Sequence, residues 1–116
     1  MASSTINGIQ ISNGSATLAD GRTGTFQLSY VRKVDNLCFF RMRVYGATDE
    51  VANGAVFQLA EGSRPSTTTN VIGSAVINGS LLPVPFSVIA DGRININYSS
   101  SATFTQATVY GVFSLI

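Results

Sequence analysis

The stretch that most constrains the fold is Ser80–Tyr98, SLLPVPFSVIADGRININY, in which two alternating segments flank a turn dipeptide. Strict alternation of apolar residues with others places one set on each face of a pleated strand. The dipeptide Asp91-Gly92 is favoured in two-residue hairpin turns, because both central residues must tolerate a positive φ. Pro83 and Pro85 donate no ladder hydrogen bond, so we expect the first strand at a sheet edge or with an irregular start. The stretch predicts a β-hairpin around which the chain folds.

Other segments show the same alternation. The longest is Leu37–Tyr45, in which one face is apolar throughout and predicts core, whereas the other sets two arginines among aromatic residues. Thr25–Val31 also alternates cleanly, and Gly73 lies inside a further candidate strand, where it suggests a β-bulge. Shorter candidate strands are Ile6–Ile11, Ser15–Ala19, Ala55–Ala60 and Val71–Asn78. No segment combines helical spacing with caps, so we expect an all-β domain, an antiparallel β-sandwich or jelly roll of about eight short strands.

Length and composition indicate a single domain over residues 1–116, which we expect to be a β-sandwich, with residues 1–5 as a flexible lead-in. Charged residues make up 11% of the chain, against roughly 25% in an average globular protein. We therefore expect outer faces of Ser, Thr and Asn, or surface buried in an oligomer. The net charge of +1 gives no electrostatic footprint for nucleic acid, and no apolar run is long enough for membrane insertion. The N-terminus lacks a signal-peptide pattern, so we expect synthesis in the cytoplasm.

The residue types present argue against catalysis. The chain has no histidine, which excludes a Ser-His-Asp triad and a histidine-ligated zinc site. The glycines form no phosphate-binding pattern, and turn or solubility roles explain the six acidic residues more simply than a glycosidase pair does. The single cysteine, Cys38, lies in an apolar run and is expected to be a small buried hydrophobe. We predict no enzyme activity, no cofactor and no metal site.

One surface patch has the residue types that saccharide binding requires, an exposed aromatic ring beside planar hydrogen-bonding side chains. Tyr45 with Arg43 at the end of the longest strand, and Asp49, Glu50 and Asn53 in the loop that follows, are the candidate ligand-binding residues. The simpler alternative, which we weigh above the site, is that the arginines of this strand solubilise an outer sheet face or line a subunit interface, where arginine is enriched.

The closing segment, Gln106–Ile116, is apolar on both faces. One face carries Val109, Phe113 and Leu115, and the other carries Tyr110, Val112 and Ile116. A strand of this kind must be covered on both sides. One cover is the core of the domain, and the other is either a neighbouring subunit or the rest of the same chain. We name Val109, Phe113 and Leu115 as the candidate oligomer interface.

Three motifs in the second half of the chain resemble a known pattern. They are the loop Gly62–Ser66 (GSRPS), the turn Asn78-Gly79 and the hairpin Asp91–Ile96 (DGRINI), followed by the aromatic-containing strand Val109–Ile116. The series resembles the C-terminal, receptor-binding-type head domains of tail-fibre and baseplate proteins of bacteriophages that infect Gram-positive bacteria.

This resemblance implies a homotrimeric β-sandwich in the virion tail, in contact with other tail proteins, that adheres to bacterial cell-wall saccharide without catalysis. The matching residues Arg64, Pro65, Asp91 and Gly92 are implied to serve loop and turn geometry, and no ligand residue is carried over. Such heads often use Trp or His in the saccharide site, and this chain has neither. The alternative is a purely structural trimerisation or attachment module of a phage tail or baseplate. A trimeric jelly-roll ligand of the tumour necrosis factor or complement type ranks lower, because those proteins carry a signal or membrane anchor.

Overall fold

A computed structural model describes residues 4–6, 9–11, 15–48, 50–51, 54–98 and 102–116, and for the first two of these ranges it describes the backbone only. The strands are β1 (Ser4–Ile6), β2 (Ile9–Ile11), β3 (Ala16–Leu18), β4 (Thr25–Phe26), β5 (Ser29–Val34), β6 (Leu37–Tyr45), β7 (Gly54–Leu59), β8 (Thr69–Ile77), β9 (Ser80–Val88), β10 (Arg93–Ile96) and β11 (Phe104–Ser114). These ranges include no helix, and hence none that is long and apolar enough to cross a membrane.

The strands form one continuous sheet in the order β1-β2-β5-β6-β11-β8-β9-β10-β7-β3, with β4 paired to β6 outside this path. The pairings are antiparallel except that of β2 with β5, which is parallel. The predicted all-β class is confirmed, and the curled antiparallel sheet is compatible with a β-sandwich or jelly-roll-like fold.

The strands outnumber the roughly eight expected from the sequence because two predicted strands are divided. Ile6–Ile11 is divided into β1 and β2, which pair as a hairpin, and Thr25–Val31 is divided into β4 and β5. Ser4 and Thr5, within the predicted lead-in over residues 1–5, belong to β1. Residues 1–3 lie outside the described part of the chain.

The core lies on the concave side of the curled sheet. Along β6, every second side chain from Cys38 to Val44 is fully buried and the intervening ones face outward, as the alternation predicted. Phe26 of β4 stacks on Phe57 of β7 with ring centroids 5.7 Å apart. This contact joins strands that are far apart in the strand order, which shows that the sheet curls far enough to bring its two halves face to face.

The closing strand β11 lies in the middle of the sheet, between β6 and β8. Val109 and Phe113 are buried, and Leu115 packs against the same core. The prediction that these three residues form a subunit interface is therefore corrected, because they line the core of their own domain. The opposite face of the strand is the exposed one, where Tyr110 is 61% accessible and Val112 is also exposed.

The central hairpin forms as predicted, but its turn is of another kind. β9 and β10 pair with Ile94 opposite Val88. The Gly92 N–H donates to the Ile89 carbonyl over 2.8 Å, and the Ile89 N–H donates to the Arg93 carbonyl over 2.9 Å. Of the two predicted turn residues only Gly92 has a positive φ, at 92°. The connection is thus a three-residue loop closed by a glycine bulge, and not a two-residue turn.

The two prolines of β9 do not mark a sheet edge. β9 is paired on both sides, with β8 along its whole length and with β10 only over residues 86–88. Pro85 lies at the end of the pairing with β10: its carbonyl accepts a hydrogen bond from the Asn97 N–H over 2.9 Å, and it returns none because proline has no N–H. Pro83 lies beyond this point, in the part of β9 that β10 does not reach.

Gly73 does not form the predicted bulge either. The β8–β9 register runs unbroken through Gly73, which lies opposite Val84. A Cβ at this position would collide with the Thr108 carbonyl oxygen and the Phe86 ring. The glycine is needed because β8 approaches β11 and the Phe86 side chain too closely for any larger residue.

Candidate functional site

The structure describes three of the five residues of the predicted saccharide patch. Arg43 and Tyr45 lie on the outward face of β6. Glu50 lies in the loop after that strand, where it forms a β-bridge with Thr103. Asp49 and Asn53 are outside the described residues.

A row of three outward side chains crosses the strands β5, β6 and β11. Tyr30 lies opposite Arg41 on one side, and Tyr110 lies opposite Arg41 on the other. Side chains directly opposite on one face of a sheet have Cβ atoms about 4.5–5.5 Å apart, close enough to contact each other. Tyr30 is 39% accessible and Tyr110 is 61% accessible, so the arginine lies between two open aromatic rings.

The neighbouring rows extend this surface. Phe39 lies between Arg32 and Val112, and all three face outward. Arg43 lies opposite Thr108. We call this surface the aromatic-arginine face, and its members are Tyr30, Arg32, Phe39, Arg41, Arg43, Tyr45, Tyr110 and Val112. The sequence patch contained Arg43 and Tyr45, and the alternation along β6 adds Phe39 and Arg41. The pairing register supplies the other four residues.

Arg43 has an unusual hydrogen-bonding position on this face. Its backbone N–H donates to the buried Ser29 hydroxyl over 2.9 Å, and its carbonyl accepts from the Gln27 N–H over 2.9 Å. The side-chain Nε atom is buried and has no hydrogen-bond partner among the described residues. A buried donor without an acceptor is unfavourable, and such groups are rare in folded proteins.

Leu28, at the break between β4 and β5, adjoins the face and is held in a strained backbone conformation. Its φ is 51°, a left-handed value that branched side chains rarely adopt, and its side chain is 69% accessible. The Leu28 carbonyl accepts a hydrogen bond from Arg41 Nε over 3.0 Å. Such strain costs about 1–3 kcal/mol and is concentrated at functional sites.

A separate groove of about 670 Å³ lies at the other end of the sheet. Its lining is mostly polar and comprises residues 17–22, Glu50, Gly54, Ala55, Gln58 and Arg93. Thr17, Gln58 and Arg93 form a row in register across β3, β7 and β10. Glu50 lines this groove, whereas Arg43 and Tyr45 do not.

Arg22, in the groove wall, forms hydrogen bonds that hold the loop after β6. Its three side-chain nitrogens donate to the carbonyls of Ala55, Glu50 and Val51 over 2.8, 2.7 and 3.2 Å. The guanidinium also lies 5.4 Å from the centre of the Phe104 ring, within cation–π range. The sequence does not indicate this role of Arg22, because its acceptors lie some thirty residues away along the chain.

Two of the three motifs of the family resemblance, the 62–66 loop and the 91–96 hairpin, meet at the β9–β10 turn. Arg64 Nε donates to the Leu59 carbonyl over 3.1 Å, and the Leu59 N–H donates to the Gly92 carbonyl over 2.8 Å. The Asp91 carboxylate forms an ion pair with Arg93 Nε over 2.8 Å and also accepts a hydrogen bond from the Arg93 N–H. This hydrogen bond, together with the ion pair, holds the pKa of Asp91 below its usual value. These contacts order a loop and a turn.

The described residues hold no group of His, Cys, Asp and Glu side chains arranged to bind a metal. Cys38 is free and buried, and burial raises the pKa of its thiol to about 11. A thiol with that pKa forms almost no thiolate near neutral pH and is a poor nucleophile.

Comparison with known proteins gives no family assignment. No protein-family model matches the chain, and no curated protein is similar to it in sequence.

Proposed function

We propose that this chain is a receptor-binding domain of a phage tail that binds host cell-surface saccharide as a homotrimer, without catalysis. The proposal is supported by the resemblance of the 62–66 loop and the 91–96 hairpin to such domains, and by the all-β fold. The observation on which the proposal depends is the row formed by Tyr30, Arg41 and Tyr110 on the open face of the sheet.

The chemistry of this row suits a sugar chain. Tyrosine presents an apolar ring with a polar hydroxyl at its tip, so it packs on the C–H face of a sugar and still hydrogen-bonds to it. The arginine supplies several N–H donors in a fixed plane for sugar hydroxyls. Because the face is open, it accommodates a polymer passing across it.

The same face favours binding over chemistry. Its members are Tyr, Phe, Val and Arg residues, and they include no carboxylate, imidazole or thiol. General acid–base catalysis most often uses a histidine or a carboxylate, and this face carries neither. A ligand on this face would therefore be held and released unchanged.

A second candidate is a purely structural trimerisation or attachment module. It is favoured by Ile72 and Leu81, which are each about two-thirds exposed on the outward faces of β8 and β9. Contact with another protein on this side of the sheet would remove both side chains from water. In this case the chain would form a stable complex with copies of itself or with another tail protein and would have no glycan affinity.

The test is binding to glycan arrays and to cell-wall preparations from Gram-positive bacteria. We expect Tyr110→Ala and Tyr30→Ala each to weaken binding at least about tenfold, equivalent to ~1.4 kcal/mol. Leu81→Ala, which removes an equally exposed apolar side chain elsewhere, should leave it unchanged. Unchanged binding in both tyrosine variants, or no binding to any glycan or wall preparation, would contradict the proposal. Light scattering tests the trimer, and a monomer would count against both candidates.

A further inference from the structure

We infer that the saccharide bound by the aromatic-arginine face is acidic, and that Arg41 binds its carboxylate or phosphate group. This inference rests on the proposed function and specifies the chemical class of the ligand.

The first argument is charge. Arg32, Arg41 and Arg43 are three of the seven basic residues of the chain, and all lie on this face. The strands β5, β6 and β11 that build it contain no Asp or Glu. The face is therefore locally cationic, although the whole chain carries a net charge of only +1. A neutral sugar would leave this charge without a counterpart.

The second argument is the way in which Arg41 is held. Its Nε is bonded to the Leu28 carbonyl, and its terminal Nη atoms have no hydrogen-bond partner among the described residues. Tyr30 and Tyr110 flank it on either side. A guanidinium anchored at one nitrogen presents its remaining N–H groups in the geometry that suits the two oxygens of a carboxylate or phosphate. The strained Leu28 backbone supplies the anchoring carbonyl.

The third argument is the spacing of the arginines. Arg43 is the next outward residue along β6 after Arg41, about 7 Å away at the usual rise of a strand. Two guanidinium groups at that spacing fit a polymer that carries repeated anionic groups.

Two other anionic ligands fit less well. An extended acidic peptide usually binds by adding a strand to a sheet edge, but β6 and β11 are paired on both sides. Nucleic acid requires an extended basic surface, and the four remaining basic residues lie off this face. An acidic saccharide needs only local cations and aromatic rings, and the face provides both.

The experiment compares polymers that differ only in charge. The full chain is titrated with polygalacturonate and its methyl ester, and with a phosphomannan and its dephosphorylated form. We expect each acidic form to bind at least about tenfold more tightly than its neutral partner, and added salt to reduce the difference. Arg41→Gln should abolish the preference for the acidic polymer, and Arg41→Lys should retain only part of this preference. Arg93→Gln, with the same loss of charge on an exposed residue outside the face, should retain it.

Equal binding of acidic and neutral forms would overturn the inference and leave saccharide binding intact. Binding of neither acidic polymer would also overturn it, and the wall preparations then show separately whether the proposed function survives. Poly-glutamate and single-stranded DNA serve as further probes, and binding of either as tightly as the acidic polysaccharides would refute the saccharide class. Thermal melting of each variant confirms that it is folded.

Discussion

Gly92 lies directly against the side chain of Arg64, so that a Cβ at residue 92 would stand 2.6 Å from Arg64 Nε and equally close to the Leu59 carbonyl oxygen. Residue 92 also has a φ of 92°. The DG turn and the GSRPS loop are thus one packed unit, although some thirty residues separate them along the chain.

This contact predicts that Gly92→Ala is strongly destabilising. The substitution combines an unfavourable positive φ with overpacking, so we expect a loss of about 2–5 kcal/mol in the free energy of unfolding. Gly79→Ala is the matched control, because Gly79 also has a positive φ but open space around its Cβ position. It should lose only about 1–2 kcal/mol. If urea denaturation gives Gly92→Ala and Gly79→Ala the same loss in the free energy of unfolding, the contact with Arg64 does not contribute to the destabilisation.

Arg22 is predicted to stabilise the loop after β6. Replacing it by Gln leaves carbonyls of residues 50, 51 and 55 without their charged donor, and we expect a loss of about 2–4 kcal/mol. Arg22→Lys should recover little, since an ammonium group lacks the planar fork. Arg93→Gln removes one exposed ion pair and should cost less than about 1 kcal/mol. Similar denaturation midpoints for Arg22→Gln and Arg93→Gln would refute this role.

Asp91 is predicted to make stability slightly dependent on pH in the acid range. Its pKa is lowered in the folded state from 3.8, chiefly by the hydrogen bond from the Arg93 N–H. Its contribution is therefore present above the unfolded value and lost as the pH falls through the lower, folded value. Between about pH 5 and pH 2, the wild type should lose slightly more stability than Asp91→Asn. If the free energy of unfolding depends on pH in the same way in the wild type and in Asp91→Asn, the lowered pKa of Asp91 is contradicted.

Cys38 is predicted to be unreactive while the chain is folded. Its side chain is fully buried and its thiol pKa is about 11, so neither access nor thiolate is available at pH 8. A disulfide reagent should react slowly with the native protein and rapidly after denaturation in guanidinium chloride. Rapid labelling of the native protein would show that β6 opens or that the thiol is exposed.

Several features of the fold could be predicted because they depend on single strands. The alternation around Phe40 and Met42 identified the buried face of β6, and the hairpin at Asp91 was found from its turn dipeptide. The detailed turn and the reason for Gly73 were predicted incorrectly. Both depend on packing with distant segments, namely the 62–66 loop at the turn and Thr108 at Gly73.

The candidate site was predicted only in part for the same reason. Arg43 and Tyr45 share a face with Arg41 by the period of one strand, and the sequence shows this period directly. Tyr30 and Tyr110 join Arg41 only through the pairing of β5 and β11 with β6, and that register is a long-range property.

By itself, the sequence determined the all-β class and which side of β6 is apolar, because alternation and turn residues act over a few positions. Only the tertiary structure decided which face of β11 is buried, since both faces are apolar and the local pattern does not distinguish them. It also decided that Tyr30, Arg41 and Tyr110 form one row. The physical reason is that strand order and register follow from burial of the whole core, to which every strand contributes.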